Sequence, residues 1–226
     1  MKRPNRKTSK YMNVKYLINI ALVCALLLCA CGKEDIIDFP ITLHAHELSR
    51  VSDVRLFVNK NEIYDSNVIE AFVSNSEYFK LPTPAEIQSS NESISFLSKD
   101  SVLFGTLTIG FTVKKNANQF LFYSSLMFPT NSGDILHSLL KYPSELVPLS
   151  HFTGFKHLTR EVLVGYGSYK KLELSFFSYM LSINGDSFQQ FISGKLSNEF
   201  NEEAINTLQL RDTLAIQEYR VRFIAK

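Results

Sequence analysis

The stretch KLELSFFSYMLSINGDSFQQFIS, residues 171–193, decides the fold class. Lys171 to Ile183 predicts a long strand, and the Asn184-Gly185 that follows is the dipeptide suited to a type I′ turn. Such a turn needs positive φ at both central positions, which Asn tolerates and Gly adopts freely. Phe188 to Ser193 then leads away as the returning strand. Just upstream, Val162, Val164 and Tyr166 alternate along another strand that ends in a predicted turn at Gly167-Ser168.

The same signals extend in both directions. Leu107, Ile109, Phe111 and Val113 alternate with Thr106, Thr108, Gly110 and Thr112, a strict period of two, and predict one strand from Leu103 to Lys114. Asn116-Ala117-Asn118 turns the chain, and Gln119 to Phe128 returns as an apolar partner. Val54 to Val58 and Ile94 to Leu97 are further strands. At the C-terminus, Thr213 to Ile224 shifts phase between Leu214-Ile216 and Tyr219-Val221-Phe223, which suggests a bulge.

Helices are few. Asp134 to Lys141 sets Ile135, Leu136, Leu139 and Leu140 on one face, with an Asp N-cap and Pro143 as a stop. Ser66 to Ser74 and Asn198 to Leu208 are weaker helical segments, and Pro82-Thr83-Pro84 with Gln88 to Ser93 are expected to make a polar loop. The expected fold is therefore mainly β: an antiparallel β-barrel or β-sandwich with one to three short helices. The strand lengths suit a lipocalin-like barrel, although that family's motif residues are missing.

The first 30 residues have a different character. Lys2, Arg3, Arg6, Lys7, Lys10 and Lys15 precede an apolar run from Tyr16 to Ala30 that is interrupted only by Asn19. A helix of about 15 residues reaches about 22 Å, short of the roughly 30 Å hydrocarbon core. Leu28-Cys29-Ala30-Cys31 resembles the lipobox of bacterial lipoproteins: an aliphatic residue, two small ones, then the cysteine to be acylated. The resemblance implies cleavage after Ala30, a diacylglycerol on Cys31, and a mature chain held to the membrane by acyl chains. Two or three such chains anchor firmly where one does not. It divides the chain into a signal peptide (1–30), the lipidated cysteine with a short tether (31–38) and one β-rich domain (39–226). Gly32 in place of Asp after that cysteine implies the outer membrane, and Lys33-Glu34-Asp35 resembles a surface-export tag. The plain alternative for those three residues is a solvated charged tether.

Removing the signal changes the charge. The chain has 24 basic and 22 acidic residues; the six bases before Cys31 leave 18 against 22, a formal −4. No basic patch is left to suggest a nucleic-acid partner. Cys24, Cys29 and Cys31 all lie in or at the signal, so the domain has no cysteine pair for a disulfide and depends on its core. Its 18 Phe and 8 Tyr, the other two Tyr of the chain being in the signal, can fill that core.

Motifs that carry chemistry are sparse. His44 and His46 would share one side of a strand and reach a single metal ion with His151 or His157, but two surface histidines is the simpler reading. Ser168-Tyr169-Lys170-Lys171 matches S-x-x-K only formally, because that chemistry needs its serine opening a helix. Gly165-Tyr166-Gly167 lacks the third glycine of a nucleotide loop. His137 is read as structural. Glu145, Glu161, Glu173 and Asp186 are scattered carboxylates with no reason to prefer any pair. Tyr166, Tyr169, Phe177 and Tyr179 would stack on a sugar or another flat ligand, or simply fill the core, which is favoured.

The expectation is a non-enzymatic, surface-exposed outer-membrane lipoprotein that needs no cofactor. Its partners would be the membrane, through Cys31, and a small molecule, glycan or protein. A cell-surface hydrolase of glycans or peptides is the first rival, and a surface-fibre subunit the second. Two facing carboxylates in a cleft would favour the hydrolase, an apolar cavity in a barrel would favour binding, and a free edge strand would favour the fibre.

Overall fold

Alternating residues and tight turns fold this chain into staves. The computed structural model describes residues 37–90, 92–105, 110–130, 135–143, 146–148, 157–184 and 189–225. Cys31, the tether before Ile37, residues 106–109, Asp134, Glu145, His151 and residues 185–188 with Asp186 lie outside them. The strands are β1 (Ile41–Val51), β2 (Arg55–Val58), β3 (Asn61–Ile63), β4 (Ser93–Ser98), β5 (Ser101–Phe104), β6 (Gly110–Asn116) and β7 (Gln119–Ser124). They continue as β8 (Phe128–Thr130), β9 (Val147–Pro148), β10 (His157–Thr159), β11 (Val162–Ser168), β12 (Lys171–Asn184), β13 (Gln189–Leu196) and β14 (Thr213–Ala225). The helices are α1 (Ser66–Val73), α2 (Pro84–Ser89) and α3 (Ile135–Ser138), with 3-10 turns at Glu77–Phe79 and Glu202–Thr207. Among the described residues no helix is long and apolar enough to cross a membrane.

The protein is mainly β, and its center is a closed antiparallel barrel of eight staves. β1, β4, β5, β6, β7, β11, β12 and β14 pair in that order, and the β12–β14 pairing closes the ring. Closure pairs both sides of every stave, which a sandwich cannot do. Every second side chain points inward. Leu43, Ile94, Phe96, Val102, Phe122 and Leu174 hold matching inward positions in the registers and are buried. One end is filled by Tyr169, whose ring meets Phe39, Phe96 and Phe120 edge-on at 5.3, 5.1 and 5.2 Å. Its hydroxyl donates to the Lys99 carbonyl at 3.2 Å. That end is shut.

β12 and β14 outlast the barrel. From Phe177 onward β12 pairs with β13 on the side where β11 had been, and the start of β14 pairs with β2, flanked by β3. Here the outward face is buried too. Phe177, Tyr179, Leu181, Leu214 and Ile216 form a second core with Leu139, Phe200, Ala204 and Leu208, supplied by α3 and the 3-10 turn at Glu202–Thr207. On the opposite face of this extension, buried Ser178 donates to the Tyr78 carbonyl in the turn at Glu77–Phe79.

Several expectations need correction. The stretch Leu103–Lys114 is a hairpin, not one strand: Leu103 pairs with Gly110 across β5 and β6. The chain begins to turn at Gly105, which takes φ +60°, a conformation open to glycine. The turn expected at Gly167-Ser168 lies two residues later, because Ser168 pairs with Lys171 and Tyr169-Lys170 make the turn. Asn184 remains in β12 opposite Gln189, so the connection is the four residues 185–188 rather than an Asn184-Gly185 turn. β14 runs against β12 without a break, and the extra residues are His46 and Ser49 in β1. The phase shift in β14 has another cause: Leu214 and Ile216 face the second core, whereas Tyr219, Val221 and Phe223 face the barrel.

The helices differ as well. Asn198–Leu208 forms only the 3-10 turn, and the segment starting at Asp134 is helical only as α3. The region expected as a polar loop contains α2. Thr83 there accepts from the Glu86 N–H at 3.3 Å while Glu86 accepts from the Thr83 N–H at 2.7 Å, a capping box with Pro84 opening the helix. Ser66–Val73 is helical as expected, capped by Asp65.

Candidate ligand cavity at the open end of the barrel

Opposite the Tyr169 plug the barrel is hollow. A cavity of about 310 Å³ is walled by Phe104, Phe111, Leu163, Leu174, Phe176 and Phe223, all inward-facing residues of five staves. Ser124 at the end of β7 also lines it, but its hydroxyl is taken by the Leu126 N–H at 3.1 Å. Glu92, Ser93, Glu161 and Ser197 line it as well, but most of the wall is apolar, which suits an apolar ligand.

The mouth continues this character. Leu126, Met127, Phe128 and Val147 are exposed at and beside the small sheet β8-β10-β9. A second cavity of about 350 Å³, lined by Leu136, His137, Leu140 and Leu196, shares Phe128, Glu161 and Ser197 with the first. The Nε2 of His137 is buried there without a partner among the described residues. Glu161 keeps over a third of its surface in water, yet enclosure on its cavity side pushes its carboxyl above the ordinary range.

The residues singled out in the sequence mostly serve structure. Tyr169 plugs the closed end, and Phe177 and Tyr179 are buried in the second core. Tyr166 is half-buried on the outer wall, where Gln119 Nε2 donates to its hydroxyl at 3.1 Å. The four aromatics do not form one platform. His44 lies in β1 with His46 as the bulged extra residue, which breaks the alternation that would have aligned them. His157 is on β10, and no group of three or more His, Cys, Asp or Glu among the described residues could hold a metal ion. Glu173 is tied to Arg222 at 2.8 Å on the outer wall, away from Glu161 at the mouth. Ser168 and Lys171 face each other across a turn, as a hairpin requires.

A polar cluster on the outer wall escaped sequence reasoning. Glu199, 8% exposed, accepts from Lys141 Nζ at 2.9 Å and Arg220 Nη2 at 3.1 Å. Burial pushes this carboxyl up. Hydrogen bonds from Lys141 and Tyr166, with the charges of Lys141 and Arg220, outweigh that and hold it below the ordinary range. Nearby Glu218 moves the opposite way, pushed up by burial despite a hydrogen bond from the Phe200 N–H. Arg55 grips Glu202 through two nitrogens at 2.6 and 3.2 Å and Glu62 at 3.0 Å. No local motif announces this cluster, because its members come from distant segments. No protein-family model, curated protein or solved structure matches the chain.

Proposed function

We propose that this chain is a lipid-anchored outer-membrane protein, exposed at the cell surface, whose barrel takes up an apolar small molecule through its open end. The observation that carries this reading is the aromatic-walled cavity of about 310 Å³ opposite the plugged end. Its volume falls within the roughly 300–1,000 Å³ typical of small-molecule sites. The exposed Leu126, Met127, Phe128 and Val147 supply an apolar lip for a ligand arriving from a membrane or a partner. The anchor rests on Leu28-Cys29-Ala30-Cys31 and the basic and apolar segments before it.

The cavity is tested with the neutral dye N-phenyl-1-naphthylamine, which brightens in apolar surroundings. The full chain should enhance its emission saturably, and Ser197→Phe, placed where the two cavities meet, should abolish the enhancement. Undiminished emission with Ser197→Phe would show that the dye binds elsewhere. The anchor is tested separately: metabolic palmitate labelling should be lost in Cys31→Ser, and labelling that persists refutes acylation at that residue.

A further inference from the structure

A second cleft, of about 330 Å³, opens on the outer wall where β12 and β14 leave the barrel. Arg50, Lys141 and Arg220 line it together with Glu199, Glu202 and Glu218. Three cations thus stand against three carboxylates, and an ion of either sign would meet like charge on part of the wall. Arg50 lies directly opposite Arg220 in the β1–β14 register, so donors crowd one part of the cleft. Glu218, whose pKa is raised by burial and by the charges of Glu202 and Glu199, supplies an acceptor in it.

A further feature points to a ligand. Ser175 is 4% exposed, lines the cleft, and its Oγ has no hydrogen-bond partner among the described residues. A buried hydroxyl left unmatched is costly, and a bound polar molecule would relieve that cost.

We infer that this cleft binds a small, neutral, polyhydroxylated ring molecule, a monosaccharide or the end of a glycan. Each ring hydroxyl both donates and accepts, so it bonds to a carboxylate and a guanidinium alike. The site is separate from the apolar cavity, although Phe176 backs both.

The test uses the full chain in a detergent without a sugar headgroup. The probes are methyl glucoside, methyl galactoside, methyl mannoside and N-acetylglucosamine, read by saturation-transfer NMR and titration calorimetry. At least one should bind saturably, and Ser175→Ala and Glu218→Gln should each weaken it about tenfold, the loss of one well-placed hydrogen bond. Thermal melts of both variants should match the parent, which excludes unfolding as the cause. Glycine and inorganic phosphate should not compete. The inference is overturned if none of the four sugars binds. It is equally overturned if their binding survives both substitutions, or if glycine or phosphate displaces them.

Discussion

Arg220 donates from Nη2 to Glu199 Oε1 at 3.1 Å while its guanidinium lies over Tyr166, 4.3 Å from the ring centroid. One side chain therefore links β14, β11 and the chain between β13 and the 3-10 turn at Glu202–Thr207. Glu199 has the least accessible side chain of the three charged partners, at 10%, against 22% for Arg220 and 52% for Lys141. The exposed lysine contributes little. The bond to Arg220 is sheltered, and charged hydrogen bonds of this kind contribute about 1.5–3 kcal/mol.

Glu199→Gln keeps the shape and removes the charge. It should lower the unfolding free energy by about 1–3 kcal/mol at neutral pH, measured by urea titration. The folded protein holds Glu199 below the ordinary value of 4.5, so its stabilising contribution is complete above that value. The contribution is lost as pH falls through the lowered pKa, and parent and variant should converge in acid. A stability gap that stays constant from neutral pH into acid would show that the charge is not what stabilises the site.

Asn198, 2% exposed, satisfies both ends of its amide. Its Nδ2 donates to the carbonyls of Val162 at 2.9 Å and Tyr142 at 3.1 Å, and its Oδ1 accepts from the N–H groups of Glu199 and Tyr142. Asn198→Asp is nearly isosteric but sets an acceptor against two carbonyls. Each unmatched buried group costs about 1–3 kcal/mol, so the loss should be about 2–5 kcal/mol in chemical denaturation. A loss below about 1 kcal/mol would mean that the amide is not the clamp these distances describe.

The barrel was legible where one face of a strand is buried and the other wet. Phe111 and Val113 between polar neighbours, and Val221 and Phe223 between Arg220, Arg222 and Ile224, carry that period of two in their order. It failed where burial is two-sided. Around Leu214, Ala215, Ile216 and Gln217 both faces are covered, and the loss of alternation looked like a bulge. It failed again at Gly105, since alternation runs straight through a turn that only backbone conformation reveals. The site was less legible still. Glu199 lies 58 residues from Lys141 and 21 from Arg220, so only barrel closure brings the three together. The cavity wall had no separate signal, because Phe104, Leu163 and Phe176 resemble any core residue until the barrel leaves space between them.

Two glycines, on staves that flank β7, should respond oppositely to the same substitution. Gly167, near the end of β11, has φ +133°, and a Cβ there would sit 2.2 Å from the Lys171 carbonyl oxygen. That oxygen belongs to backbone held by pairing with both β11 and β14 and cannot yield as a flexible side chain would. Strain of about 1–3 kcal/mol adds to a steric cost of similar size, so Gly167→Ala should destabilise by about 2–5 kcal/mol. This is a large share of a typical stability of about 5–15 kcal/mol. Gly110, at the start of β6, has open space where its Cβ would be and no positive φ. There, Gly110→Ala should be neutral or stabilise by about 0.4–1 kcal/mol, because alanine narrows the unfolded ensemble. Thermal and urea unfolding of the two variants measured side by side decides the matter. Equal effects at both positions would mean that the Tyr169-Lys170 turn does not hold Gly167 against Lys171, and the closed end of the barrel would have to be redrawn.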